Sequence, residues 1–257
     1  MKKILALIGL TMVVGAANAV TFTLADGNAI VIGDDTDLLN DWFTDGVDDL
    51  FNQDYYYRIG QNPEDQVSSL GGAVVTTIAA NIANVRFQNA VVSFDVTYTL
   101  VGGAPGSGTS DILEVVRIQN KTDQAMDFHL FEYDDFDLNA TAGGDNGLLF
   151  NSSTIVQWEN NTTAMVGSVP PFDRWEIAAF PTILNKLNDG VADNLSNATT
   201  PIGPGDLSFA MQWDRTIAAR GTFIMSKNKR IEVVPEPASI AALGLGALAL
   251  IRRRRSK

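Results

Sequence analysis

Residues 90–100 read AVVSFDVTYTL, the clearest strand pattern in the chain. From residue 92 onward, apolar and polar side chains alternate: Val92, Phe94, Val96, Tyr98 and Leu100 stand against Ser93, Asp95, Thr97 and Thr99. Strict alternation over this length is typical of a β-strand that packs one face and leaves the other near solvent. The sequence therefore predicts a strand in a sheet that has one packed side.

The segments around this strand predict more strands of the same kind. The glycine-rich loop 101–110 turns the chain, and residues 111–119 form the expected antiparallel partner. Further strands are predicted at 20–24, 29–32, 55–59, 74–78, 154–159, 207–214, 222–226 and 230–234. Many short strands separated by turn-rich loops favour a mainly β protein, an antiparallel β-sandwich body with one or two short helices.

Two segments are predicted to be helical. Asp34, Asp35 or Thr36 can cap a helix in which Leu38, Leu39, Trp42 and Phe43 share one face. Residues 174–188 form the second candidate, with Asp173 as its cap and Gly190 just past its end. Because Pro181 must divide this segment, Thr182–Asn188 is its firmer half.

The C-terminal segment has three parts in order. A Pro235-Glu236-Pro237 box comes first, the apolar residues 238–251 follow, and Arg252, Arg253, Arg254 and Arg255 come next. As a helix, the apolar run extends about 21 Å, whereas a stable membrane span needs roughly 20 residues and about 30 Å. The sequence predicts a short, transient hydrophobic helix whose arginine end stays on the cytoplasmic side.

This tail resembles the PEP-CTERM sorting signal of Gram-negative bacteria. The resemblance implies recognition by an exosortase, a transient stay in the inner membrane and cleavage near the motif Val234, Pro235, Glu236 and Pro237. Export to the cell envelope, the cell surface or the extracellular space is then expected. An ordinary C-terminal tail anchor is the alternative interpretation.

The N-terminal residues agree with export. Lys2 and Lys3 precede an apolar run from Ile4 to Val14, and residues 17–19 form a small-x-small cleavage site. This is the pattern of a secretory signal peptide, which implies removal by signal peptidase. The expected organisation is a signal peptide at 1–19, one sandwich body at 20–232 and a sorting signal at 233–257.

The charge balance argues against nucleic acid as a partner. The chain of 257 residues carries a formal net charge of −12, and seven of its 18 lysines and arginines lie in the two terminal segments. The body is therefore more acidic than the whole chain and repels polyanions. With no cysteine, it has neither a disulfide nor a thiolate metal site.

Residues 126–138, MDFHLFEYDDFDL, hold the densest group of aromatic and acidic side chains. Asp134, Asp135 and Asp137 could ligate a hard cation such as Ca²⁺ through their oxygens. They could equally be charges that end pairing at the edge of a sheet. The sequence leaves both interpretations open, and no other cofactor is expected.

No catalytic motif emerges from the sequence. His129 is the only histidine, and it lies inside a predicted strand. The four tryptophans, Trp42, Trp158, Trp175 and Trp213, are either core residues or a sugar-stacking platform. The expected function is that of a non-enzymatic envelope or matrix protein, associated with biofilm exopolysaccharide. A polysaccharide- or calcium-binding adhesion module and a glycoside hydrolase are the alternatives.

Overall fold

A computed structural model describes residues 20–198 and 201–234. The described residues form mainly strands, one short α-helix (α1, Thr182–Leu187) and two 3-10 turns at Val67–Leu70 and Leu138–Ala140. The strands in chain order are β1 (Phe22–Asp26), β2 (Ala29–Asp34), β3 (Leu38–Thr44), β4 (Val47–Asp48), β5 (Asn52–Ile59), β6 (Asp65–Gln66), β7 (Val74–Ala79), β8 (Ile82–Gln88), β9 (Val92–Gly102), β10 (Thr109–Asn120), β11 (Met126–Asp135), β12 (Asp145–Asn151), β13 (Thr154–Glu159), β14 (Thr162–Val169), β15 (Arg174–Ala179), β16 (Ile202–Gly205), β17 (Leu207–Ile217) and β18 (Thr222–Val233).

The strands form two sheets that face one another, so the predicted sandwich is confirmed. Sheet A has the order β1-β2-β3-β5-β11-β17-β15, with β4 beside β3 and β6 beside β5. Sheet B has the order β16-β12-β13-β14-β18-β10-β9-β8-β7. The pairs are antiparallel except for a short parallel contact between β3 and β5.

The hairpin predicted from residues 90–119 lies in sheet B. β9 and β10 pair antiparallel, with Val96 opposite Val116. Val92, Phe94 and Val96 are fully buried, as the alternation predicts. The core lies between the two sheets, where large rings such as Trp42, Tyr55 and Phe94 pack.

A second, smaller apolar cluster covers the outer face of sheet A. It is formed by buried side chains of sheet A, α1 and the segment after α1: Tyr56, Phe131, Tyr133, Ile183, Leu187, Leu195 and Ala210. Helix α1 therefore packs on the outside of the sandwich, and its position creates a cleft beside the middle of sheet A.

The first predicted helix is wrong, because residues 38–44 form β3. Asp34 does act as a cap, but its Oδ1 accepts the backbone N–H groups of Thr36 and Asp37, at 2.7 and 2.9 Å, inside a turn. The chain then returns along β2, with Val31 opposite Trp42. Leu38, Leu39 and Trp42 are all buried by this pairing.

The second predicted helix is half right. Its first part forms β15, an edge strand beside β17, and only α1 is helical, as the division at Pro181 predicts. Residues 222–226 and 230–234, predicted as separate strands, are joined in the single strand β18, which ends at Val233.

The predicted hydrophobic helix of the tail lies outside the described residues, as does the signal peptide. Among the residues that are described, no helix is both long enough and apolar enough to cross a membrane.

Candidate functional site

The acidic residues singled out from the sequence lie in and just after β11. This strand is flanked by β5 on one side and β17 on the other, so it lies in the interior of sheet A. The alternative interpretation, in which Asp134, Asp135 and Asp137 end the pairing at a sheet edge, is therefore wrong. These carboxylates need another explanation.

Strand alternation separates the three carboxylates. Asp134 points into the interior between the sheets, where it contacts Lys229 of β18. Asp135 and Asp137 lie on the other side, where Asp206, just before β17, joins them. Of the three predicted metal ligands, Asp135 and Asp137 therefore lie together and Asp134 does not. Asp206 takes the third place in the cluster.

Asp135, Asp137 and Asp206 form a compact carboxylate trio whose oxygens lie within 4.8 Å of one another. Asp135 is only 2% exposed, and its Oδ1 has no hydrogen-bond partner in the described part of the chain. Its Oδ2 accepts a hydrogen bond of 2.8 Å from the Tyr133 hydroxyl. Burial raises the pKa of Asp135 to about 7, with a further contribution from the two neighbouring carboxylates.

The trio lies at the floor of a cleft on the outer face of sheet A. One hollow of about 250 Å³ is lined by residues including Asp54, Tyr56, Tyr133, Asp135 and Asn188. A second hollow, of about 150 Å³, holds the trio itself. Phe51, Asp135 and Phe180 line both hollows, so the two are adjoining parts of one groove, which we call the acidic cleft.

Two phenylalanines form the rim of the acidic cleft. Phe51 is 59% exposed and Phe180 is 37% exposed. Their rings meet edge to face, with centroids 6.4 Å apart. Exposed aromatic rings above a floor of hydrogen-bonding groups suit a ligand that has both apolar and polar faces.

Asp54 supplies a second buried carboxylate to the cleft. Its oxygens accept hydrogen bonds from the Tyr55 backbone N–H at 2.6 Å and the Gln66 amide at 2.8 Å. Burial nevertheless raises the pKa of Asp54 to about 8. Near neutral pH this group is therefore mostly protonated, and its hydroxyl is able to donate a hydrogen bond.

Tyr56 provides a hydroxyl at the α1 side of the cleft. This hydroxyl accepts a hydrogen bond of 3.2 Å from the Asn188 amide. Burial raises the pKa of Tyr56 to about 12, so the group is a neutral phenol at physiological pH. The cleft thus presents donors and acceptors on several walls.

The other residues considered from the sequence lie outside this cleft. His129 is buried in β11, and its Nδ1 lies 2.6 Å from Asp214 Oδ1. Trp42 and Trp213 are fully buried, so neither can form an exposed sugar platform. Trp175 is partly exposed and donates through its indole N–H to the Ala198 carbonyl at 2.5 Å.

The sorting-motif residues are described only at their start. Val234 is 55% exposed, and its backbone N–H donates to the Asn161 carbonyl at 2.8 Å. Pro235, Glu236, Pro237 and the four arginines from Arg252 to Arg255 lie outside the described residues.

Comparison with protein families identifies the tail. Residues 233–255 match the PEP-CTERM protein-sorting motif. The chain therefore carries this sorting signal, which implies export to the cell envelope or surface and processing by an exosortase. No curated protein matches the sequence.

Solved structures resemble the body in fold. A bacterial glucoamylase complexed with acarbose superposes with a TM-score of 0.62 at 8% identity, over 90% of this chain and 36% of the glucoamylase. A putative aldose 1-epimerase from Escherichia coli K12 gives 0.58 at 8% identity, over 84% of this chain and 100% of that one. An aldose epimerase homologue from C. elegans gives 0.57 at 7% identity, over 85% and 100%. At these identities the similarity is one of fold.

Proposed function

We propose that this protein is exported to the cell envelope or extracellular matrix, where its body binds a polysaccharide in the acidic cleft without chemical turnover. The sorting signal supports the destination. The main observation in favour of a polysaccharide ligand is the exposed pair of rings, Phe51 and Phe180, above buried polar groups. Sugar rings present apolar C–H faces and equatorial hydroxyls, and such a cleft complements both.

The chemistry of the cleft floor favours a neutral, hydroxyl-rich ligand over a polyanion. Asp54 and Asp135 both have raised pKa values, so near neutral pH Asp54 is mostly protonated and able to donate a hydrogen bond to a ligand, while Asp135 is close to half-ionised. The partly exposed carboxylates Asp137 and Asp206 would repel an acidic polymer. The names of the fold neighbours, a glucoamylase and aldose epimerases, are in keeping with a carbohydrate ligand, although only the fold is shared.

Calcium binding at the carboxylate trio is a second candidate function. The carboxylate oxygens of the trio converge within 4.8 Å, and Oδ1 of the buried Asp135 has no hydrogen-bond partner among the described residues. Oxygen-only ligation suits Ca²⁺, which takes six to eight ligands, so water or a sugar hydroxyl would complete the shell. The two functions are compatible, because the trio lies at the floor of the same cleft.

Glycoside hydrolysis is the competing interpretation. It requires one carboxyl group held as an acid and a second that is ionised beside the scissile bond. Asp54, with its pKa raised to about 8, would be the acid. We propose binding instead, because the pKa of the other buried carboxyl group of the cleft, Asp135, is also raised, so only about half of this group is the ionised carboxylate that hydrolysis requires at neutral pH.

Binding of the mature protein to a glycan array and to exopolysaccharide from its host tests the proposal. Replacing Phe51→Ala should weaken binding roughly fivefold, since an aromatic contact contributes about 1 kcal/mol. Phe150→Ala is the matched control, because Phe150 is 68% exposed and belongs to β12 in sheet B. An equal loss of glycan affinity in both variants, or no binding to any glycan, would refute polysaccharide binding in the acidic cleft. Release of sugar that Asp54→Asn abolishes would favour the hydrolase.

A further inference from the structure

Five charged side chains meet in the interior between the two sheets. They are Glu114 of β10, Glu132 and Asp134 of β11, and Lys227 and Lys229 of β18, and each side chain has no exposure to solvent. The neighbours on the same inner rows are apolar: Met225 and Ile231 on β18, Phe128 and Leu130 on β11. The charges therefore interrupt an otherwise ordinary core.

This network is poorly explained as a stabilising salt bridge. Buried ion pairs generally lose in desolvation what they gain in attraction, and apolar residues of similar volume do as well or better. Three carboxylates face two ammonium groups, so the set is unbalanced. Glu114 Oε1, Glu132 Oε2 and Asp134 Oδ2 also have no hydrogen-bond partner among the described residues.

The geometry around Lys229 is that of an amine beside an acyl group and a base. Lys229 Nζ contacts Asp134 Oδ1 directly. It also lies 2.9 Å from Glu132 Oε1 and 3.5 Å from Glu114 Oε1. The amine therefore has one carboxyl carbon within reach of its lone pair and a second carboxylate in position to take its proton.

We propose that Lys229 and Asp134 condense into an intramolecular isopeptide bond that joins sheet A covalently to sheet B. Glu132 is the positioned proton acceptor. The product is a secondary amide between Nζ of Lys229 and Cγ of Asp134, and it forms without an added enzyme, cofactor or oxidant.

The reaction balances within the network. The step starts from Asp134 as a carboxylic acid, because in that form the buried network has no net charge: the carboxylates of Glu114 and Glu132 then face two ammonium groups. Lys229 passes a proton to Glu132, and the resulting neutral Nζ attacks Cγ of Asp134. Glu132 returns that proton to the hydroxyl that leaves as water, and the second proton lost from nitrogen then remains on Glu132. One C–O bond is broken, one C–N bond is formed, and the net charge is unchanged.

Two features favour this step over its reversal. The site is fully buried, so the water that leaves has no equivalent replacement for hydrolysis. The carboxyl group of Asp134 and the amine of Lys229 are held side by side by central strands of opposite sheets. The reaction therefore proceeds within one fixed geometry and needs no bimolecular encounter.

Lys227 is the less suitable nucleophile, although it contacts Glu132. Its Nζ lies 4.8 Å from the centre of the Tyr55 ring and 2.9 Å from Glu114 Oε2. The Tyr55 hydroxyl donates to the same Glu114 oxygen at 2.7 Å and keeps it ionised. Lys227 is thus already paired with Glu114, and it balances the charge of that carboxylate after the amide has formed.

The bond would supply a covalent tie that this chain otherwise lacks. The chain has no cysteine, so it cannot use a disulfide. The amide would close a loop between residues 95 positions apart and, unlike a disulfide, would not respond to reductants. Closing so long a loop restricts the unfolded chain strongly.

Peptide mapping of the full-length mature protein decides the proposal. After denaturation and digestion, the peptides that contain Asp134 and Lys229 should be recovered as one linked species, lighter than their sum by one water. Separate peptides of unmodified mass would overturn the proposal, as would a link between Lys227 and Glu132. This measurement needs no variant.

Variants then test the role of each group. Lys229→Arg and Asp134→Ala should abolish the linked species, and Glu132→Gln, if circular dichroism shows the native sheet, should form it far more slowly. Arg230→Gln is the control, because Arg230 neighbours Lys229 but pairs at the surface with Asp111. A linked species that forms at the wild-type rate in Glu132→Gln would refute the proton-acceptor role.

Discussion

Arg58 and Glu64 form an ion pair inside the protein, with Arg58 Nη1 2.6 Å from Glu64 Oε1 and both side chains almost completely buried. Arg58 also donates to the Asp193 carbonyl at 2.5 Å and to the Asn194 amide oxygen at 2.7 Å. The pair therefore fastens the segment after α1 to sheet A, beside the acidic cleft.

Replacing Arg58→Met should destabilise the fold by about 3–5 kcal/mol, because it leaves Glu64 buried without its partner. Urea unfolding measures this loss, and hydrogen exchange should show faster exchange at residues 189–198. Arg220→Met is the control, since its ion pair with Asp123 is exposed and should contribute little. An equal effect of both variants would contradict the assignment.

The terminal segments predict a specific pattern of processing. Protein isolated from its host should lack residues 1–19 and the arginine-rich end of the matched motif. Intact-mass spectrometry, with peptide mapping of both ends, measures this. A mature protein that retains Arg252 to Arg255 would contradict cleavage by an exosortase and favour the interpretation as an ordinary tail anchor.

Stability should fall as the pH rises from about 5 to about 8, because Asp54 holds its proton in the folded state. Its pKa is raised from 3.8 to about 8, so between these values the folded protein binds more protons than the unfolded chain. The free energy of unfolding then decreases with pH in this window. In Asp54→Asn the decrease should shrink by at least about 1 kcal/mol, since one pKa unit corresponds to about 1.4 kcal/mol.

Chemical denaturation at several pH values checks this sign. Asp137→Asn is a suitable comparison, because Asp137 is only partly buried and should alter the slope much less. A stability of Asp54→Asn that falls with pH as steeply as that of the wild type would contradict the prediction.

Calcium should stabilise the protein more strongly as the pH rises through about 7. Ca²⁺ requires Asp135 in its ionised form, and burial raises the pKa of Asp135 to about 7. Isothermal titration and the shift in Tm on adding Ca²⁺ measure the effect. Asp206→Asn should remove most of the shift, whereas Asp127→Asn, on exposed surface, should preserve it. A shift that is independent of pH would argue against a site that includes Asp135.

The hairpin of β9 and β10 was predictable because each strand has one buried face, so burial follows the two-residue period. The segment 38–43 was wrongly predicted to be helical, because the spacing of its apolar residues fits one face of a helix as well as a short strand. These residues are Leu38, Leu39, Trp42 and Phe43. Pairing with β2 makes this segment a strand, and the local sequence pattern does not reveal that pairing.

The acidic cleft could be predicted only in part. Asp135 and Asp137 stood out in the sequence because they are close together. Phe51, Phe180 and Asp206 come from distant segments, and only the sheet order and the placement of α1 bring them together. The buried lysines of β18 carried a local signal, since Lys227 and Lys229 share the two-residue period of Met225 and Ile231.

The position of β18 links the order of synthesis to the order of assembly. It is the fifth of nine strands in sheet B, between β14 and β10, yet it follows every other described strand in the chain. A chain that emerges from the translocation channel amino end first delivers this central strand after all the others. We therefore expect the two halves of sheet B to stay unpaired until the residues beside the sorting motif have emerged, so that the body is completed as the sorting motif appears.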